Sequence, residues 1–332
     1  MPLGTAKISD VAREAGVSEA TVSRALNNHP TVGPEFVKRV RAAADRLGYR
    51  PNGIARSLRR QTTNVLALII TDVSNPFFTA ITRGVEDVAQ LGGYSVLLCN
   101  SDEDSAKEAT YLDVAAQQQV AGVILAPHQA GSDVSRLSAA SIPIVVIDRP
   151  LEEPFDSVMV QSREGARAAT EHLIDSGWVR PACISGPDDV ATAESRLEGY
   201  RDAVRAHGFD EIFVHTPFRA EGGAAAAAEL LDSANPPDAL FVGNTQLALG
   251  VMTELQRRGL EMGRDIGVIT FDDAPWATLI DPPLSVVSQP AYEIGTRAAE
   301  LLLERMKGTA PEGTRAVSLG TTLRIRESSI RH

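Results

Sequence analysis

Residues 17–27 read VSEATVSRALN, a run of small and hydroxylated residues whose one strong positive charge is Arg24. A helix this polar has too little apolar surface to sit inside a core. It suits an element laid on another molecule. The formal net charge is -11, but it is unevenly spread: residues 1–61 hold 11 Lys and Arg against 5 Asp and Glu, and the rest hold 21 against 38. A basic head on an acidic body directs a polyanion to the head alone.

The flanking sequence supplies the rest of a helical head. A first helix is expected over SDVAREA, closed by Gly16, and a second after Ser18, whose hydroxyl can accept an orphan backbone N–H. Gly16, Val17 and Ser18 between them make an elbow of helix-turn-helix length. Val11, Ala12, Ala15, Val22 and Leu26 can share a small core. A third helix, PEFVKRVRAAADRLG, starts with Pro34 and ends at Gly48, with Phe36, Val37, Val40, Ala44 and Leu47 at helical spacing. In a helix-turn-helix the N-terminal end of the second helix enters the major groove. Arg24 can then give two hydrogen bonds to a guanine edge, while Ser18, Thr21 and Ser23 reach phosphates.

Beyond Asn64 the texture changes to apolar runs alternating with helical stretches: VLALII, YSVLLCN, GVILAP, IPIVVID, SVMVQS, PACISG, ALFVGN and DIGVITF. Strands buried on both faces of parallel sheets read this way, so the body is expected to be α/β and doubly wound, in two lobes. Polar or aromatic residues follow the strands: Asn75 with Phe77 and Phe78, Asp148, Arg149, Arg196, Phe218, Asn244, Asp272 and Gln289. Residues so placed face the crevice at the strand carboxyl ends, where open α/β sheets take ligands. Aromatic faces with amides and charges around them suit a sugar. Cys99 and Cys183 sit in apolar runs without ligand spacing and are expected to be reduced and buried. There is no phosphate loop, paired-histidine metal motif or nucleophile elbow, so neither enzyme activity, cofactor nor metal is expected. The opening MPLGTAKISD lacks a leader pattern and no run is long enough to span a bilayer, so the cytoplasm is the expected compartment.

Residues 8–58, with TVSRALN at 21–27, LGYRPN at 47–52 and ARSL at 55–58, closely resemble the DNA-binding head of lactose-repressor-type (LacI/GalR family) regulators, and the resemblance runs on through the body. It implies a head over 1–50, a hinge over 51–63, and an effector-binding and dimerisation domain over 64–332 of periplasmic-binding-protein type I fold. Its N-lobe would comprise 64–160 and 291–322, and its C-lobe 161–290 and 323–332. It also implies that Glu19, Ala20 and Arg24 face bases, that Ser18, Thr21, Ser23, Asn27 and Tyr49 face the DNA backbone, and that Leu58 wedges into the minor groove with Arg56 near phosphates. Ala55 and Leu58, three apart, share a face of a hinge too short to be helical by itself. Ligand binding would then alter lobe closure, and with it the distance between two hinge segments across a dimer and their hold on the operator. Two positions depart from the family: Gly33 stands where a serine is common before the third helix, and Thr245 stands where Asp usually follows Asn244. The function expected is a homodimeric, sequence-specific regulator, a repressor of a pseudo-palindromic operator, controlled by a pentose, hexose or related sugar. The alternatives are the same regulator with a purine or other metabolite effector, or a sugar-binding protein without a DNA role.

Overall fold

The computed structural model describes residues 6–26, 31–49 and 63–332. The chain falls into two compact units, Met1–Thr62 and Thr63–His332.

In the first unit, α1 (Ile8–Ala15), α2 (Glu19–Leu26) and α3 (Pro34–Arg46) enclose a small core of Val11, Ala12, Ala15, Val22, Ala25, Val40, Ala43 and Ala44. Gly16 ends α1 in the left-handed region at φ 63°, where glycine has no Cβ penalty. Ser18 caps α2, its Oγ accepting the N–H of Thr21 at 3.2 Å. The expected core face of α3 needs correction at two positions. Phe36 and Leu47 are exposed. Phe36 lies in the first turn, where the Arg39 guanidinium covers its ring at 5.0 Å, and Leu47 lies one residue past the helix.

The second unit holds two six-stranded sheets. The first has the order β11-β5-β4-β3-β1-β2, with β1 at Val65–Ile70, β2 at Ser95–Asn100, β3 at Gly122–Leu125, β4 at Ile144–Ile147, β5 at Asp156–Val160 and β11 at Ala316–Leu319. The second has the order β12-β10-β9-β8-β6-β7, with β6 at Pro181–Ser185, β7 at Phe213–His215, β8 at Ala239–Val242, β9 at Gly267–Phe271, β10 at Ser285–Ser288 and β12 at Thr322–Arg324. All pairings are parallel except that of β12 with β10. This is the expected α/β doubly wound class.

The register of β1 explains why VLALII reads as unbroken apolar sequence. Leu66, Leu68 and Ile70 point into one core layer, and Ala67 and Ile69 into the layer on the opposite face. The expectation of two buried faces fails at β2. Leu97 and Leu98 are each 38% exposed because β2 is the edge strand, hydrogen-bonded to β1 alone. Helices α4 (Pro76–Leu91), α5 (Ser105–Gln117), α6 (Ser135–Ala139), α7 (Ser162–Asp175), α8 (Ala191–Ala206), α9 (Ala220–Leu231), α10 (Thr245–Arg258) and α11 (Ala291–Met306) complete the unit. Some pack at backbone contact. A Cβ at Gly250 of α10 would lie 1.8 Å from the carbonyl oxygen of Ala220 at the start of α9. Cys99 and Cys183 are both buried free thiols, and burial raises both pKa values.

The edge of the first sheet is held by charge. Asp156, at the start of β5, accepts hydrogen bonds from Arg305 and Arg315, each at 2.6 Å. Burial alone would raise its pKa, but the two guanidiniums outweigh burial and hold it at about 2, below its ordinary 3.8. A depressed carboxylate stabilises the fold above its unfolded pKa and loses that contribution as pH falls toward its folded value. Asp156→Asn is therefore expected to lower stability at pH 7 by about 2 kcal/mol. The deficit relative to wild type should vanish between about pH 4 and pH 2, which denaturant unfolding at both pH values checks.

Candidate ligand cleft and DNA-binding helix

One face of α2 is buried through Val22 and Ala25, and the other presents Glu19, Ala20 and Arg24 to solvent. Ala20 and Arg24 are one turn apart, so they share that open face. Ser18 is exposed, Thr21 and Ser23 are half-buried, and the Ser18 and Thr21 hydroxyls lie 2.9 Å apart. Tyr49 is half-buried with its ring against the head core. Gly33 offers no hydroxyl at the start of α3. Asn27, Ala55, Arg56 and Leu58, with the whole expected hinge core, lie outside the described residues.

In the second unit a cavity of about 590 Å³ opens at the strand carboxyl ends of both sheets. Each sheet reverses its strand order there, β3-β1-β2 in one and β8-β6-β7 in the other, which leaves a crevice between diverging connections. Nine of the ten residues expected at the ligand line it: Asn75, Phe77, Phe78, Asp148, Arg149, Arg196, Phe218, Asn244 and Asp272. Gln289 does not. It lines an adjoining cavity of about 400 Å³ and reaches the first only by donating to Asp272. The reason is strand order, because β10 lies outside β9 and ends one strand farther from the reversal.

The two lobes contribute matching parts. Asn75 caps α4, its Oδ1 accepting the N–H of Phe77 at 3.0 Å, and Asn244 caps α10, its Oδ1 accepting the N–H of Leu247 at 2.9 Å. Each amide keeps its NH2 group as a donor. Asp148 and Asp272 follow β4 and β9 in the left-handed region, with φ 65° and 73°. That backbone is costly for any residue but glycine, and Asp tolerates it better than most. Phe77 and Phe78 meet edge to face at 5.0 Å and belong to the core as well as to the cavity wall. Phe218 stands over Gly186, where a Cβ would lie 2.2 Å from its ring.

Charge is concentrated beneath these rings. Arg196 is buried, donates to the Gly243 carbonyl at 2.8 Å and stacks on Phe271 at 4.1 Å. Its Nε is buried without a hydrogen-bond partner. Burial lowers its pKa, offset in part by Asp272 and Asp148. Burial raises the pKa of both aspartates, offset in part by the arginines. Thr245 is buried with its Oγ1 unpartnered, so the departure at this position leaves a hydroxyl without a hydrogen bond where the family usually has a carboxylate.

Sequence reading missed Glu103, His128, Asp102, Arg219 and Gln246 in the cavity wall. The signal for the first three was present. SVLLCNSDED and GVILAPHQ also end apolar strands in polar residues, and the same rule would have found them. Arg219 and Gln246 follow strands too, one residue after Phe218 and two after Asn244. They cross the cleft, Arg219 to the Asp102 carbonyl at 3.5 Å and Gln246 to the Ser74 hydroxyl at 3.3 Å. Among the described residues there is no group of three or more His, Cys, Asp and Glu placed to hold a metal, and no helix is long and apolar enough to cross a membrane.

This geometry coincides with known proteins. Residues 7–52 match the model of the bacterial regulatory proteins of the lacI family, and residues 170–329 match that of the periplasmic binding protein-like domain. The chain is 36% identical to the ribose operon repressor of Halalkalibacterium halodurans over 97% of its own length and 96% of that protein's. It belongs to the lacI family of bacterial regulatory proteins. Its fold matches the Lac repressor dimer bound to operator and the anti-inducer ONPF, with TM-score 0.87 and 25% identity over 98% of this chain and 99% of that one. A LacI family regulator from Enterococcus faecium with bound ribose matches with TM-score 0.73 and 28% identity over 80% of this chain and 98% of the other. The chain is a DNA-binding transcriptional regulator.

The buried carboxylates of this LacI-family cleft are held at a cost to the fold. A carboxyl whose pKa is raised stabilises the folded state below its unfolded pKa and loses that contribution as pH rises through the folded value. Asp272→Asn, which also suits the left-handed backbone, is expected to raise Tm at pH 7 by a few degrees. The gain should disappear below about pH 4, and thermal unfolding across that range tests it.

Proposed function

We propose that this regulator is a repressor whose cleft takes a small polyhydroxyl effector, a pentose or hexose. The observation that carries the reading is the convergence of the Asn75 and Asn244 amides, the Asp148 and Asp272 carboxylates and three phenylalanine rings on one cavity. Carboxylates accept from adjacent hydroxyls, amides donate to them, and ring faces cover sugar C–H groups. The ribose named for the relative and for the structural neighbour supports a pentose in particular. The cavity also has room for more than one ring, which favours a nucleoside as the second reading.

The assembly we propose is a homodimer that reads a pseudo-palindromic operator with α2 in the major groove of each half-site. Closure of the cleft on its effector changes operator affinity through the segment between the two units. Titration calorimetry with ribose, other pentoses, hexoses and nucleosides tests the effector. A saturable signal for a free sugar supports the reading, and a response to nucleosides alone transfers it to the second.

On the DNA side, Arg24→Ala is expected to weaken specific operator binding by roughly 1–3 kcal/mol. Binding to nonspecific duplex should fall much less, because a base contact and not a phosphate contact is removed. Fluorescence anisotropy on both duplexes at one salt concentration measures the difference.

A further inference from the structure

Arg149 is a buried cation at the cleft floor, and a guanidinium there is the natural partner of a phosphate or carboxylate on a ligand. Here it is already engaged. Glu103 accepts from it twice, from Nη2 at 2.6 Å and from Nη1 at 2.8 Å, and the His128 carbonyl takes a further bond from Nη1 at 3.1 Å. Its Nε makes no hydrogen bond and lies 3.6 Å from the Asp148 carboxylate, within ion-pair distance. Burial alone would raise the pKa of Glu103, but the hydrogen bonds and charge of Arg149 carry it below its ordinary value.

Local backbone holds Glu103 in place. Asp102 and Glu103 are consecutive non-glycine residues in the left-handed region, with φ 54° and 57°, with one residue between them and the end of β2. Such a pair persists only where its surroundings over-determine it. The Glu103 N–H donates to the Thr71 carbonyl at 3.1 Å, which ties the turn to the end of β1.

The other buried guanidinium is flanked by carboxylates as well. Arg196 lies between two buried aspartates, and Arg219 is exposed at the rim. In total, seven carboxylate side chains and three guanidiniums line the cavity. An anionic group reaching the floor of the cavity would be stripped of water among carboxylates that outnumber the guanidiniums, and neither buried guanidinium there lacks a carboxylate neighbour.

We propose that Glu103 sets the charge selectivity of the cleft: by holding Arg149 in a closed ion pair it admits an uncharged polyhydroxyl ligand and rejects the phosphate ester of the same compound. This rests on the reading of the cleft as a sugar or nucleoside site, and it makes Glu103 a specificity-determining residue. The free compound, and not its phosphorylated product, is then the signal that the regulator senses.

The test is calorimetry on the full chain with ribose and ribose 5-phosphate, adenosine and its 5′-phosphate, and inorganic phosphate. Wild type is expected to bind the preferred free compound at least a hundredfold more tightly than its ester, and to show no heat with inorganic phosphate. In Glu103→Gln, and independently in Glu103→Ala, Arg149 loses its hydrogen-bonded counter-charge and keeps only the more distant Asp148, and the ratio of ester to free-compound Kd should fall at least tenfold. Wild type binding the ester as tightly as the free compound overturns the proposal without any variant. So does an unchanged ratio in both variants. If no free sugar or nucleoside binds wild type while the variants gain affinity for inorganic phosphate, the charge rule stands and the sugar reading falls.

Discussion

Parallel strands buried on both faces have only their ends left for chemistry, and the rest of this molecule follows from that constraint. In β1 the side chains alternate between two apolar layers, so no residue within the strand can meet water or a ligand. The polar groups of the site are therefore pushed past the last hydrogen-bonded residue of each strand. Asp148 and Asp272 stand there, as do the caps Asn75 and Asn244 just before the helices that follow. One geometric rule, applied in both lobes, makes two half-sites that face each other.

A site built this way carries its own instability. Two carboxylates and two guanidiniums are buried together, two aspartates occupy a backbone region that disfavours side chains, and several buried polar atoms lack partners. The surrounding core compensates. The ring of Phe271 covers Arg196, and the close approach of helices at Gly250 fixes the scaffold on which α10 and its cap Asn244 are held. Orphaned donors such as Nε of Arg196 are what remains when a pocket is shaped for a ligand and not for itself. The contrast with Asp156 is instructive. That carboxylate is equally buried, yet two arginines satisfy it fully and it strengthens the fold.

Much of this was legible in the amino-acid order. Gly16 and Ser18 marked the elbow of the head, and unbroken apolar runs marked the inner strands. The polar residues just beyond those runs marked most of the cavity wall. The reading failed where position in the sheet, and not local pattern, governs. SVLLCN looks like an inner strand, but β2 lies at an edge and exposes Leu97 and Leu98. Gln289 follows a strand as faithfully as Asp272 does, but β10 lies beyond β9, and Gln289 lines the adjoining cavity behind Asp272. Phe36 has helical spacing with Val40, and its place in the first turn puts it outside the core.

Residue order alone determined the division into a basic helical head and an acidic α/β body, because charge, capping and periodicity are local properties of the chain. It also determined which strand ends carry polar groups. Only the tertiary structure decided which of those groups meet, since that depends on strand order and on how two lobes face across a gap. The pairing of Glu103 with Arg149 joins residues 46 positions apart and follows from the adjacency of strand ends, not from any spacing in the chain. The contacts of Arg219 and Gln246 across the cleft have the same origin. They exist because two separately folded sheets turn their carboxyl ends toward one space.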